Sequence, residues 1–263
     1  MANNGFVSMI QTPVLTREDD KAAKFERDFN AVSWAESAVV EDFVTDLASL
    51  TVPLTFTAKA DGLHFNADTI SSGLSSHYKL NGNATDSVGS KNGTVTGAII
   101  EQNGKLGKCY SFNGIGDNID CGDPLITGTG DFTFSAWIKI DTNTNNVRNI
   151  AGNYTGTNDQ GIQFAISGAE KFYTYTDGTS NYVTGATTLA INTWYHVAST
   201  RSSNSVVVYI NGVSDATGTL DNNIEGDEDF TIGANPVTSS EAFDGNIDDV
   251  RIYNRALSSS EIL

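Results

Sequence analysis

Glycine is distributed very unevenly along this chain. Of its 25 glycines only Gly5 and Gly62 precede Gly73; the other 23 run from Gly73 to Gly245. Glycine takes positive φ without steric cost, so glycines scattered between short β-branched and aromatic runs mark tight turns joining short strands. Phe132-Thr-Phe134-Ser-Ala136-Trp137-Ile138-Lys-Ile140 reads as one such strand, Trp194-Tyr-His-Val-Ala-Ser-Thr200 as a second and Ser205-Val-Val-Val-Tyr-Ile210 as a third. The third ends at Asn211-Gly212, the pair best suited to a two-residue type I′ turn, because both positions need positive φ. Val213 then opens the return strand. Runs at this spacing predict an all-β, antiparallel sandwich or barrel over residues 73–263, with Trp137 and Trp194 buried in it.

Residues 1–72 have another texture. Neither Gly nor Pro occurs between Pro13 and Pro53, and good helix formers dominate. Thr16 can cap a helix whose first turn carries Glu18, Asp19 and Asp20, which the helix dipole favours. Ala22, Phe25, Phe29, Val32, Glu36, Val39 and Phe43 alternate in spacings of three and four, an apolar stripe interrupted only by Glu36. Ser33-Trp34-Ala35-Glu36 also fits a capping box. The segment is therefore either one helix over about 17–50 or two helices broken near 30–33. Residues 51–70 then read as extended. The stripe needs a partner surface: its own sandwich, copies of itself, or another protein. We read 1–72 as an anchoring or oligomerisation region with Phe25, Phe29, Val32, Val39 and Phe43 as its interface. A trimer is favoured, since symmetric assembly gives each stripe identical partners.

Charge narrows the function classes. A formal net charge of −17 repels phosphate backbones and argues against nucleic-acid binding. No stretch approaches the roughly 20 apolar residues of a membrane span. Residues 1–10 lack the basic start and apolar run of a secretory signal. With only Cys109 and Cys121 present, no disulfide framework is expected. The two flank Gly114-Ile115-Gly116, read as a hairpin centre, yet parity sends Cys109 outward while Cys121 faces in, so both are expected as free thiols.

The ordered series Tyr78-Lys-Leu80, Asp86-Ser-Val-Gly89, Asn92-Gly93, Gly104-Lys-Leu-Gly107 and Phe112-Asn-Gly114 continues through the strands above. It ends with Phe243-Asp-Gly245-Asn-Ile247-Asp248-Asp249-Val250-Arg-Ile-Tyr253-Asn-Arg-Ala256-Leu257. This series resembles the laminin-G-like domains of the concanavalin A-like lectin and glucanase superfamily. The resemblance implies a mainly β protein, an antiparallel jelly-roll β-sandwich behind a small helical N-terminal region. Such domains serve as adhesion, glycan-binding and spacer modules. The resemblance also implies a structural Ca²⁺ held by Asp86 and Asp248; the competing reading is that Asp86 caps a turn and Asp248 accepts backbone hydrogen bonds.

Other candidates are weighed on the residues themselves. Tyr173, Tyr175 and Tyr182, with Tyr154 on another loop, suit a platform on which sugar rings stack, although Tyr is also an ordinary strand residue. Asp141-Thr-Asn143-Thr-Asn145 resembles the opening of an EF-hand loop but has Asn146 where Gly should follow, and reads as a hairpin tip. Glu225-Gly-Asp227-Glu-Asp229 reads as a solvated acidic loop rather than a pair of glycosidase carboxylates. His196, without a neighbouring His, Cys or Ser motif, reads as a hydrogen-bonded core histidine.

The combined reading is a non-enzymatic virion structural protein, a phage head or tail fibre or a decoration protein. Its first 72 residues join other virion proteins and its lectin-like domain reaches cell-surface glycans. A bacterial surface adhesin or carbohydrate-binding module is the alternative, which would place it extracellularly. A glycoside hydrolase stands behind both.

Overall fold

A computed structural model describes residues 55–59, 62–66 and 71–262, apart from 157–160, 177–180, 221–222, 226–227 and 237–240. The chain divides into two units, Met1–Ser71 and Ser72–Leu263. In the first, β1 (Thr55–Lys59) and β2 (Gly62–Asn66) pair antiparallel with Thr57 opposite His64, so the stretch expected to be extended holds a two-stranded ribbon. The apolar stripe from Phe25 to Phe43 lies outside the described residues.

The second unit consists of two antiparallel sheets. The seven-stranded sheet runs in the order β12 (Tyr182–Thr184), β11 (Phe172–Thr176), β10 (Ile162–Ile166), β9 (Arg148–Gly152), β16 (Thr231–Ile232), β7 (Asn118–Asp120) and β4 (Thr94–Thr96). The eight-stranded sheet runs β15 (Val213–Thr219), β14 (Ser205–Ile210), β13 (Trp194–Ser202), β8 (Phe132–Ile140), β17 (Asp244–Tyr253), β6 (Cys109–Asn113) and β5 (Ile99–Glu101). Its eighth strand, β3 (Leu74–Tyr78), pairs with β17, so the first and last strands of the sandwich lie side by side, Tyr78 opposite Val250.

Alternation along the strands builds the core. β8 turns Phe134, Ala136, Ile138 and Ile140 inward from one sheet, and β10 turns Ile162, Phe164 and Ile166 inward from the other. Phe134 and Phe164 stack across the gap with centroids 4.1 Å apart and planes 6° from parallel, while Phe132 meets Phe164 edge-on at 5.9 Å. Burying one such ring contributes roughly 1.5–3 kcal/mol, and an aromatic pair adds about 0.5–1.5 kcal/mol.

The turn at Asn211-Gly212 is as expected: φ is +50° and +76°, and Ile210 pairs with Val213 across it. Two other expected hairpins are not hairpins. Gly114-Ile115-Gly116 carries the chain from β6 in one sheet to β7 in the other, and residues 141–147 likewise cross from β8 to β9. A crossing between sheets needs the same positive-φ residues as a hairpin, here Gly114 at +73° and Asn145 at +55°, so local sequence does not separate them.

The outer face of the eight-stranded sheet is also largely closed. Trp137 is buried, but on this face rather than between the sheets, with the Lys105 ammonium 4.4 Å from its ring centroid and the His196 ring at 5.3 Å. Trp194, at the first position of β13, is only half-buried, with Lys139 5.8 Å from its ring. Cys109 also takes this face, as parity requires, yet it is buried there against the Asn246 amide at 3.5 Å, not solvent-facing. Cys121 faces the core, and both cysteines are free. Burial pushes the Cys109 thiol up to about 11 and that of Cys121 up to about 12.

Beneath this cover β17 bulges. Its register with β8 shifts between Asp248 and Arg251, and Asp249 adopts φ +51°, an uncommon conformation for a residue with a side chain. The bulge sets Asp249 between His77 Nε2 at 2.6 Å and Arg251 Nη2 at 3.0 Å. Burial alone would raise the Asp249 pKa, but the Arg251 guanidinium and His77 outweigh it and hold the carboxyl well below the usual range. Among the described residues Asp248 has no such cation. Burial, with the Asp249 charge beside it, pushes its pKa up to about 7, although it accepts the Leu106 N–H at 2.8 Å. His196 is buried as expected but on this outer face. Its Nδ1 has no hydrogen-bond partner among the described residues, and burial pushes its pKa down to about 4.

Two outcomes follow from this packing. Phe164→Ala empties the centre of the aromatic cluster and is expected to cost about 3–5 kcal/mol in chemical denaturation. Asp248 binds its proton more tightly folded than unfolded, so its contribution is greatest at low pH and is lost as pH rises from about 4 through about 7. Asp248→Asn removes that dependence. The variant should gain melting temperature over the parent at pH 8 and gain little at pH 5; equal gains at both would refute the assignment.

Candidate functional site

The strand parity that turns Ile162, Phe164 and Ile166 inward turns Gln163 and Ala165 outward. On β11 the inward Phe172, Thr174 and Thr176 are buried, which leaves Tyr173 and Tyr175 on the outer face. Register then aligns two rows across three strands. Tyr182, Tyr175 and Gln163 form one, and Thr184, Tyr173 and Ala165 form the other. Ala165 is the smallest member and is fully buried.

Tyr154, just after β9, closes one side. Its ring meets that of Tyr175 edge-on, centroids 4.9 Å apart at 83°, and its carbonyl accepts a hydrogen bond from the Asn235 amide at 2.9 Å. The four tyrosines proposed from sequence thus line one open depression of about 330 Å³, at the lower end of the roughly 300–1,000 Å³ of ligand sites. Val147, Gln163, Ser167, Thr184 and Glu241 complete its lining. Tyr182 is the most open of the aromatic rings, 58% exposed.

A hydrogen-bonded chain fixes the polar end. The Tyr173 hydroxyl donates to Gln163 Oε1 at 2.8 Å, and Gln163 Nε2 donates to Glu241 Oε2 at 2.6 Å. Burial raises the Tyr173 pKa, and the Glu241 charge adds to that, so the phenol keeps its proton. Sequence reasoning missed Gln163, Ser167, Thr184 and Glu241. Gln163 was within reach, as the polar residue at an outward position of an otherwise apolar strand. Glu241 was not, since it arrives from the segment before β17.

Asp86 and Asp248 each take separate backbone partners. Asp86 bridges to Tyr78 on the edge of β3 away from β17, where its Oδ1 accepts the N–H groups of His77 at 2.9 Å, Val88 at 3.1 Å and Gly89 at 2.9 Å. Burial works against its charge, but these donors outweigh it and lower its pKa. Asp248 lies across β3 and takes its own donor from Leu106. Each keeps one buried oxygen without a hydrogen-bond partner among the described residues, Asp86 Oδ2 and Asp248 Oδ1. Calcium wants six to eight oxygens, and among the described residues no three His, Cys, Asp or Glu gather where a metal would sit. Each of the two carboxylates holds backbone amides, Asp86 those of His77, Val88 and Gly89 and Asp248 that of Leu106. Glu225 is exposed and accepts from the Asn223 amide at 3.0 Å, Asp229 is exposed, and Asp227 lies outside the described residues.

Comparison with known proteins agrees with this architecture. No curated protein sequence matches the chain. Among solved structures, domain 4 of AbnA, a GH43 extracellular arabinanase from Geobacillus stearothermophilus solved with arabinotriose, is similar at 26% identity and a TM-score of 0.60. That match covers 72% of this chain and 96% of that one. Trypanosoma rangeli sialidase matches at 19% identity and a TM-score of 0.57, over 84% of this chain and 37% of its own. The receptor binding domain of botulinum neurotoxin D matches at 19% identity and 0.56, over 73% and 52%. This chain spans well under two thirds of those last two, and at such identity they show the fold alone. The family model described as the concanavalin A-like lectin/glucanases superfamily matches residues 113–263, more than half of the chain. With that match and its paired antiparallel sheets, the chain belongs to the concanavalin A-like lectin/glucanases superfamily, as a laminin-G-like jelly roll.

Proposed function

We propose that the sandwich is a non-catalytic glycan-binding module whose site is the tyrosine-lined depression, and that residues 1–72 fasten it to a larger assembly. The assembly we favour is a phage particle, with the chain as a fibre or decoration protein. The observation that carries the binding reading is the gathering of Tyr154, Tyr173, Tyr175 and Tyr182 around one polar chain. Sugars present apolar ring faces flanked by hydroxyls, and such a site offers aromatic surface and hydrogen-bonding groups side by side. The arabinotriose bound by the similar arabinanase domain supports a saccharide as the ligand class.

Absence of catalysis is part of the proposal. Glycoside hydrolysis uses two carboxyls roughly 5–9 Å apart. Glu241 is the one acid among the described residues that line the depression. The attachment reading draws on the stripe of Phe25, Phe29, Val32, Val39 and Phe43, which suits a seam between copies or with other particle proteins.

Each half has its own test. Tyr182→Ala and Tyr175→Ala are each expected to weaken glycan affinity about tenfold, roughly 1.4 kcal/mol, with the melting temperature of Tyr182→Ala unchanged. Unchanged affinity in both, by titration calorimetry, would remove the depression as the site. For attachment, Phe29→Asp places a charge in the apolar seam and is expected to abolish assembly, read as solution mass by ultracentrifugation, while the sandwich stays folded. Assembly that survives the substitution would count against the stripe as the seam.

A further inference from the structure

We infer that the depression selects uncharged, hydroxyl-rich saccharides and rejects acidic ones such as uronates, sialosides and sulfated sugars; this rests on the glycan-binding reading above. The argument comes from the direction of its hydrogen bonds. Tyr173 spends its hydroxyl proton on Gln163 Oε1, and Gln163 commits an amide proton to Glu241 Oε2. The chain therefore ends on a carboxylate, which only accepts. A sugar hydroxyl can donate to the lone pairs that remain on Glu241 and Tyr173. A carboxylate or sulfate has no proton to give and meets the Glu241 charge instead.

Among the described residues no counter-charge lines the depression. None of the nine lining residues is basic. Arg148, at the start of β9, is enclosed and bound to Glu170 and to the Thr142 carbonyl. Lys171, two residues before Tyr173, is not part of the lining. Segments 157–160, 177–180 and 237–240, which adjoin these strands in sequence, contain Asp159 and Asp177 and no Lys, Arg or His. The net charge of −17 adds a long-range field of the same sign.

The test uses the full chain. An array carrying neutral arabino-, xylo- and galacto-oligosaccharides beside oligogalacturonate, sialyllactose and sulfated galactosides is read first, and the best binders of each class are then titrated. The expected result is binding at least tenfold tighter to the best neutral sugar than to any acidic one. Glu241→Gln keeps the hydrogen-bonding shape without the charge and should narrow that gap severalfold. Added salt should narrow it in the unaltered protein, a readout that does not depend on the variant folding. Acidic sugars bound within threefold of the best neutral one would overturn the inference, as would a gap that neither Glu241→Gln nor salt changes. Binding to no glycan at all would overturn the glycan-binding reading and this inference with it.

Discussion

The stack of Phe134 on Phe164 does more than hold two sheets together. It fixes which way every residue of β8 and β10 points. A strand has a period of two, so once Phe164 is committed to the core, Gln163 and Ala165 are committed to the opposite face. Pairing passes that choice to β11 and β12, where Tyr173, Tyr175 and Tyr182 emerge on the same side as Gln163. The candidate site is in this sense the outer side of the core. A one-residue slip of β10 would turn Gln163 into the core and break its row with Tyr175 and Tyr182.

The two outer faces of the sandwich differ in character. That of the seven-stranded sheet carries one exposed and three half-buried tyrosines, a buried amide and a carboxylate around a depression. That of the eight-stranded sheet carries Trp137, His196, Cys109 and the Asp248–Asp249 bulge, all buried. Unpaired buried charge is costly, and the second face shows both responses to it. Asp249 recruits Arg251 and His77 and stays ionised, whereas Asp248, with backbone donors but no cation among the described residues, holds its proton to near neutrality. The same chemistry in two adjacent residues is divided by one left-handed backbone step at Asp249.

That division also bears on the carboxylates that the family resemblance suggests for a cation. Asp86 acts through backbone amides, three of which converge on one of its oxygens, and Asp248 acts through a fourth on the other side of β3. Both serve the loops around the first and last strands. This is where a chain closing its sheet on itself must order two irregular segments.

Sequence by itself determined a good deal here. The change of texture at Gly73, the strands Phe132–Ile140 and Ser205–Ile210, the turn at Asn211-Gly212 and the four tyrosines were all legible, because propensity, parity and positive φ are local properties. The superfamily was legible as well, from an ordered series in which each fragment alone is weak. What the tertiary structure decided is long-range. Gly114–Gly116 and residues 141–147 change sheets instead of returning, Trp137 and Cys109 are covered on an outer face, and Glu241 comes from a distant segment to end the chain begun at Tyr173. None of these follows from neighbours in sequence, because each depends on which surface happens to lie across the gap once the two sheets have packed.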